Sequence, residues 1–135
     1  MNSTPGEFLD SNVLVYAFTN DARSGTAQQL LARGCCVGIQ GLNEFTNVAR
    51  RKLGMSWAEL EAALAAIRTL CHAVLPIDLG THREALRLAQ RYGFAIFDAL
   101  VIAAALRVNC RTLWSEDMHD GLVVDNRLRI SNPFR

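Results

Sequence analysis

The chain has 135 residues, half of them apolar and a fifth charged, and 14 basic against 13 acidic side chains leave a formal net charge of +1. That is enough for one domain, residues 1–135, to bury a core without staples, in the composition range of an ordinary globular protein. Charge alone announces no polyanion partner. The four cysteines, Cys35, Cys36, Cys71 and Cys110, form no C-x-x-C pair, so buried free thiols are the plain reading and a zinc site is not expected.

Residues 1–7 are polar and lack the basic start of a signal peptide. Residues 6–10, Gly-Glu-Phe-Leu-Asp, read as a short strand ending on an acid, after which Ser11 or Asn12 caps an apolar helix over 13–18. A second helix is expected over 22–33, stopped by Gly34. A buried strand follows over 35–39, then a helix over 42–53 with Leu42, Phe45, Val48, Ala49 and Leu53 as its apolar stripe. Ser56-Trp57-Ala58-Glu59 has capping-box spacing and opens a long helix to about residue 71. Residues 73–77 form a strand. Thr81-His82-Arg83-Glu84 repeats the spacing and opens a helix ending at Tyr92-Gly93.

Residues 94–106 are apolar all round at helical period, with the single acid Asp98 near the leading end. Thirteen residues are too few for a bilayer, which needs about 20, so this helix is expected in the middle of a soluble domain. A strand over 112–115 runs into the acidic turn Glu116-Asp117-Met118-His119-Asp120-Gly121, and residues 122–130 supply one or two short strands with a turn at Asp125-Asn126. Strands alternating with helices predict an α/β fold with a mainly parallel sheet covered on both faces.

Each acid has a plain use when taken singly. Asp10 and Asp98 suit helix caps, Glu44 suits the helix dipole, and Asp117 suits a turn. Taken together, two fall at strand ends and two in opening turns of helices, where an open α/β sheet places its ligand crevice. Carboxylates about 4 Å apart repel by about 1 kcal/mol in water and about 4 kcal/mol at an effective dielectric of 20. A cluster therefore implies raised pKa values or divalent cations, and oxygen-only ligands point to Mg²⁺ or Mn²⁺. Gathering these four would leave 14 basic side chains facing the remaining nine acidic ones on a mildly basic exterior, suited to a phosphate backbone.

Four stretches then carry a resemblance. Phe-Leu-Asp10-Ser-Asn-Val-Leu-Val-Tyr, Asn43-Glu44-Phe45, Phe97-Asp98-Ala99-Leu-Val-Ile-Ala-Ala-Ala and Leu-Trp-Ser115-Glu-Asp117-Met-His-Asp120-Gly resemble the PIN domain, above all the VapC-type ribonuclease toxins of bacterial toxin–antitoxin pairs. The likeness covers nearly the whole chain. It implies a three-layer α/β/α sandwich, with Asp10, Glu44, Asp98 and Asp117 on the family's acidic quartet and Asn12 and Ser115 on its accessory polar positions. Ser11 stands where the family often has Thr. Asp120 is a further accessory candidate at the rim. Asp10, Asp98 and Asp117 are the expected primary ligands of Mg²⁺ or Mn²⁺, while Glu44 is either a ligand or the group that takes a proton from the attacking water.

The resemblance further implies hydrolysis of RNA phosphodiesters in the cytoplasm, a homodimer, no membrane association, and a small antitoxin that covers the acidic pocket, with an arginine as one means. A phosphatase of the haloacid-dehalogenase type would need a second Asp where Asn12 stands and a well-placed lysine, and Lys52 is the only one. A catalytically silent PIN-like module that binds RNA or protein is the alternative of a different class. Arg50-Arg51-Lys52 and the Arg83, Arg87, Arg91 stripe could guide RNA but read most simply as solvated helix surface or favourable C-terminal charge. His119 could approach the site but reads most simply as a turn residue; Trp57 and Trp114 read as core or interface, although one could stack a base.

Overall fold

Successive residues of a strand point to opposite faces of its sheet, and that alternation lays out this molecule. In the computed structural model, which describes residues 6–135, Phe8 and Cys36 enter one apolar cluster, whereas Leu9, Cys35 and Val37 enter another. The strands are β1 (Glu7–Leu9), β2 (Cys35–Gly38), β3 (Cys71–Leu75), β4 (Thr112–Trp114), β5 (Val123–Val124) and β6 (Leu128–Ser131). They form one sheet in the order β3-β2-β1-β4-β6-β5. All neighbours pair in parallel except β5, which runs antiparallel to β6. The reading of residues 1–5 as free of a targeting signal lies outside the described residues.

Helices α1 (Ser11–Tyr16), α2 (Ser24–Ala32), α3 (Ile39–Arg51) and α4 (Trp57–Leu70) cover one face, contributing Val13, Leu30, Phe45, Leu60 and Ile67 to its core. The other face is covered by α5 (Leu79–Tyr92) and α6 (Ile96–Arg107) through Ala85, Leu88, Ile102 and Ala105. This is the expected three-layer α/β/α sandwich. No single helix among the described residues is long and apolar enough to cross a membrane.

Local chemistry sets the joints. The Ser56 capping box is present in full, Ser56 Oγ accepting from Glu59 N–H while Glu59 accepts from Ser56 N–H. Gly93 takes the left-handed φ of 77° that ends α5, a conformation a Cβ would strain. Asp125 and Asn126 both have positive φ inside a turn closed by Arg127 N–H to Val124 C=O, the geometry that joins two antiparallel strands tightly.

Several sequence expectations shift: α3 opens at Ile39 rather than residue 42, directly after β2, and the strand expected over 73–77 lies at Cys71–Leu75, directly after α4. Asp10 itself, rather than Ser11 or Asn12, caps α1 by accepting from Ser11 N–H, because β1 runs into the helix with no loop between them. Helix α5 opens at Leu79 under an Asp78 cap, and Thr81 lies inside it as the donor to Asp78. Helix α6 is enclosed from Ala99 to Leu106 except for half-buried Leu100, but its first turn exposes Phe97 at 65%. The all-round apolar pattern therefore does not mean all-round burial: the helix emerges from the core where Asp98 begins to matter.

Candidate active site

The sheet order reverses direction between β1 and β4, its two parallel central neighbours. Ligand crevices in open α/β sheets form at such a switch point, beyond the carboxyl ends of the strands. Asp10 directly follows β1 and Ser115 directly follows β4. Asp10 N–H extends the ladder to Trp114 C=O, and Ser115 N–H does the same to Ser131 C=O. Sheet pairing thus fixes the backbone beneath both side chains before any side-chain contact forms.

Asp10 is only 7% exposed and Ser115 wholly buried. Ser11 N–H donates to Asp10 Oδ1 at 2.8 Å, and Ser115 Oγ–H donates to Asp10 Oδ2 at 2.8 Å. The Asn12 amide sits between two acids, its Nδ2 donating to Asp117 Oδ2 at 3.1 Å and more weakly to Asp10 Oδ2 at 3.5 Å. Its Oδ1 accepts from Glu116 N–H at 3.3 Å, which fixes the orientation of the amide. Asp117 N–H in turn donates to Ser115 Oγ. Asp10, Asn12, Ser115 and Asp117 therefore form one connected polar group.

Burial pushes the Asp10 carboxyl up to about 6, against the lowering by Ser115 and Ser11, with the charges of Glu44 and Asp117 adding to the rise. Glu44 lies in the second turn of α3 and is exposed to solvent, so the helix dipole has less claim on it than its expected place in the first turn gave it. Asp98 stands in the first turn of α6, whose cap residue Ala95 offers no side-chain hydrogen bond. Asp98 is no cap. Its carboxyl is raised by burial and by the Asp117 charge, and held down in part by His119. Asp117 is thus the charge felt by both Asp10 and Asp98, and Glu44 acts on Asp10.

The remaining acids of the β4–β5 turn are engaged elsewhere. Glu116 accepts from Tyr16 Oη at 2.7 Å and from Arg23 Nε at 2.7 Å, which ties the turn back to α1 and the segment before α2. Asp120 accepts from Asn132 N–H at 2.8 Å and pairs with Arg135 at 3.6 Å. The structure thus gives this accessory candidate to the C-terminal tail. His119, for which the sequence offered an approach to the site as the alternative to a plain turn residue, packs its ring 5.8 Å from Phe94 and stands near enough to Asp98 to favour the charged carboxylate. An acidic turn that carries a histidine two residues after a site acid is the signal that was present for it.

The donor set suits a hard divalent cation: carboxylate oxygens with raised pKa values and no lysine or arginine among the hydrogen bonds of Asp10 or Asp117. Among the described residues, no three His, Cys, Asp or Glu side chains converge closely enough to cage a metal unaided. Magnesium takes one or two direct carboxylates and keeps several waters, so a looser arrangement of this kind still fits it. Ser115→Ala is expected to destabilise the protein by about 1.5–3 kcal/mol at pH 7.5, the value of a hydrogen bond to a charged group. The loss should shrink at pH 5, where Asp10 is largely protonated; urea denaturation at the two pH values checks both.

A model of the PIN domain family matches residues 8–119. No curated protein matches the sequence. Among solved structures, a toxin–antitoxin complex from Klebsiella pneumoniae is similar with a TM-score of 0.72 and 16% identity, over 94% of this chain and 97% of that one. The Mycobacterium tuberculosis toxin VapC20, described as cleaving the sarcin-ricin loop, gives 0.64 and 23% over 79% of this chain and 86% of its own. VapBC2 from Rickettsia felis, bound to a DNA fragment from its promoter, gives 0.65 and 18% over 93% and 97%. At these identities the likeness is one of fold.

Proposed function

Because the chain belongs to the PIN domain family, we propose that it is a metal-dependent endoribonuclease and the toxin component of a type II toxin–antitoxin pair. One observation carries the reading: at the switch point of the sheet, burial raises the Asp10 carboxyl to about 6, Glu44 and Asp117 bring further negative charge to it, and Asp117 acts in the same sense on Asp98. Such an arrangement is costly for the fold by itself and useful for holding a cation against a phosphodiester.

Asp10, Asp98 and Asp117 would hold Mg²⁺ or Mn²⁺. The ion, when bound, lowers the pKa of a coordinated water and offsets charge on the leaving oxygen. The chain's own groups do the positioning. Ser11 N–H and Ser115 Oγ–H hold the Asp10 carboxylate from two sides, and Asn12 sets its spacing from Asp117. Glu44, exposed and without a hydrogen-bond partner among the described residues, would either join the ligands or take the proton of the attacking water.

An antitoxin partner is part of the same proposal, supported by two fold neighbours that are a toxin–antitoxin complex and a VapBC pair. So are a homodimer and a cytoplasmic site of action, where RNA and a reducing environment for the four free thiols coincide.

The test incubates the purified protein with a panel of structured RNAs and Mg²⁺ or Mn²⁺, beside Asp98→Asn. The variant should cleave roughly 10²- to 10³-fold more slowly, the scale of losing one preorganised electrostatic contact. Equal cleavage by both proteins, or none across the panel, would leave a silent RNA- or protein-binding module as the better description.

A further inference from the structure

We infer that the exposed edge of α3, from Glu44 to the α3–α4 turn, is a binding track for single-stranded RNA, with Trp57 stacking a base and Arg51 and Lys52 meeting phosphates. The nuclease reading supplies the substrate class; the track itself rests on separate observations. Gln40, Glu44, Asn47 and Arg51 recur at i, i+4, i+7 and i+11, which places them along one side of a helix. Glu44, Asn47 and Arg51 are all solvent-exposed. Seven residues of helix carry the chain about 10 Å from Glu44 to Arg51, a distance that a few nucleotides span. The stripe starts in acid and passes through an amide to cation.

At its far end stands Trp57, 64% exposed at the first position of α4. A large aromatic left in water needs an explanation, because burying it against anything would be favourable. Arg50 lies over the ring with its guanidinium carbon 4.1 Å from the centroid, and its Nη1 donates to Met55 C=O at 2.7 Å. The carbonyl thus holds the guanidinium across the turn, and the guanidinium holds the indole. Most of the ring surface remains open.

A rigid indole braced by Arg50, with two more cations following that arginine at the end of α3, has the chemistry of a base-stacking platform at a basic surface. The helix dipole explains basic residues at the end of α3, but it does not explain an indole held in the open beside them. Charge complementarity favours nucleic acid over a protein helix. Among the described residues neither Arg51 nor Lys52 has a carboxylate partner. The arginines on α5 differ. There Arg87 is tied to Glu84 and Asp125, and Arg91 lies over Tyr92.

The experiment titrates a labelled, unstructured 12-nucleotide RNA of mixed sequence into the full chain carrying Asp98→Asn, by anisotropy and by tryptophan fluorescence. Trp57 is the exposed indole and Trp114 the half-buried one, so binding should quench emission through Trp57. Trp57→Ala should weaken binding about tenfold, within the range for one stacked base, and Trp57→Phe should restore most of it. Arg51→Ala should weaken binding at every sequence and lower the slope of log K against log salt by about 0.7, one phosphate on a single strand.

Unchanged affinity, quenching and salt slope in these variants would overturn the track. So would unchanged RNA binding together with a change of mass by light scattering, which would make the surface a protein interface. If wild type cleaves RNA while Trp57→Ala and Arg51→Ala keep its KM, the track fails alone. If RNA binds through Trp57 but nothing is cleaved, the track stands and the nuclease reading fails.

Discussion

Asp10→Asn is expected to make the metal-free protein more stable at pH 7.5 while abolishing RNA cleavage. The wild-type carboxyl titrates near 6 when folded, above its ordinary 3.8, chiefly because it is buried. Between those values the folded state binds the extra proton, so this group favours folding below about 3.8 and that contribution is lost as pH rises through 6. At neutral pH the charged Asp10 therefore works against the fold by up to about 3 kcal/mol, at 1.36 kcal/mol for each pH unit between the two values. An amide of the same shape removes that penalty, less the imperfect match it offers Ser115, leaving an expected gain of about 1–3 kcal/mol. Urea denaturation of both proteins from pH 7.5 to 4.5 reads it, and the gap should close towards the acid end. Addition of Mn²⁺ should raise the melting temperature of wild type, since an ion that binds only the folded state stabilises it, and should do so far less for Asp10→Asn. A variant less stable than wild type at every pH would show that burial of this charge is not the dominant local cost.

Ile102→Ala is expected to be the most damaging change in α6, destabilising by about 2–5 kcal/mol. Ile102 is completely buried among the α5, α6 and sheet side chains. It also stands four residues after Asp98, on the same side of the helix. The cavity would loosen the packing that fixes how far α6 is rotated and how high it sits, and so where Asp98 is held. RNA cleavage should fall even at a temperature where circular dichroism finds the variant folded. Phe97→Ala, one residue before the acid but largely in solvent, should change stability by about 0.5 kcal/mol or less. A similar loss from both substitutions would contradict this division of the helix into a packed shaft and an open mouth.

The strand–helix alternation and the ends of the strands were legible because both are written in local patterns: alternating apolar residues, an acid after Phe8-Leu9, a glycine at position 93. The exact caps were less so. Asp10, Ser11 and Asn12 are three good capping residues in a row, and only the direct run of β1 into α1 selects the first. Asp78 and Thr81 compete in the same way, and Arg107, 29 residues further on, donates to Asp78 in the folded protein. In the sequence, Asp117 is favoured over the adjacent Glu116 as the site acid only by its spacing from the preceding strand. The structure separates them through Tyr16 and Arg23, about a hundred residues distant, which take Glu116. Period-based reading also says nothing about how far a helix projects from its core, which is why the exposure of Phe97 was not anticipated.

The hydrogen bond between Asp10 and Ser115 joins residues 105 positions apart, and its timing matters. A chain leaving the ribosome displays Asp10 and Glu44 long before β4 exists to bring Ser115 and Asp117 alongside, and Asp98 14 residues before β4 begins at Thr112. Until then β1 lacks the neighbour that completes the switch point. Parallel pairing over such a separation is also slow to form. Synthesis of most of the chain therefore yields three acids without a finished site, and the potential to cut RNA arrives only with the last strands.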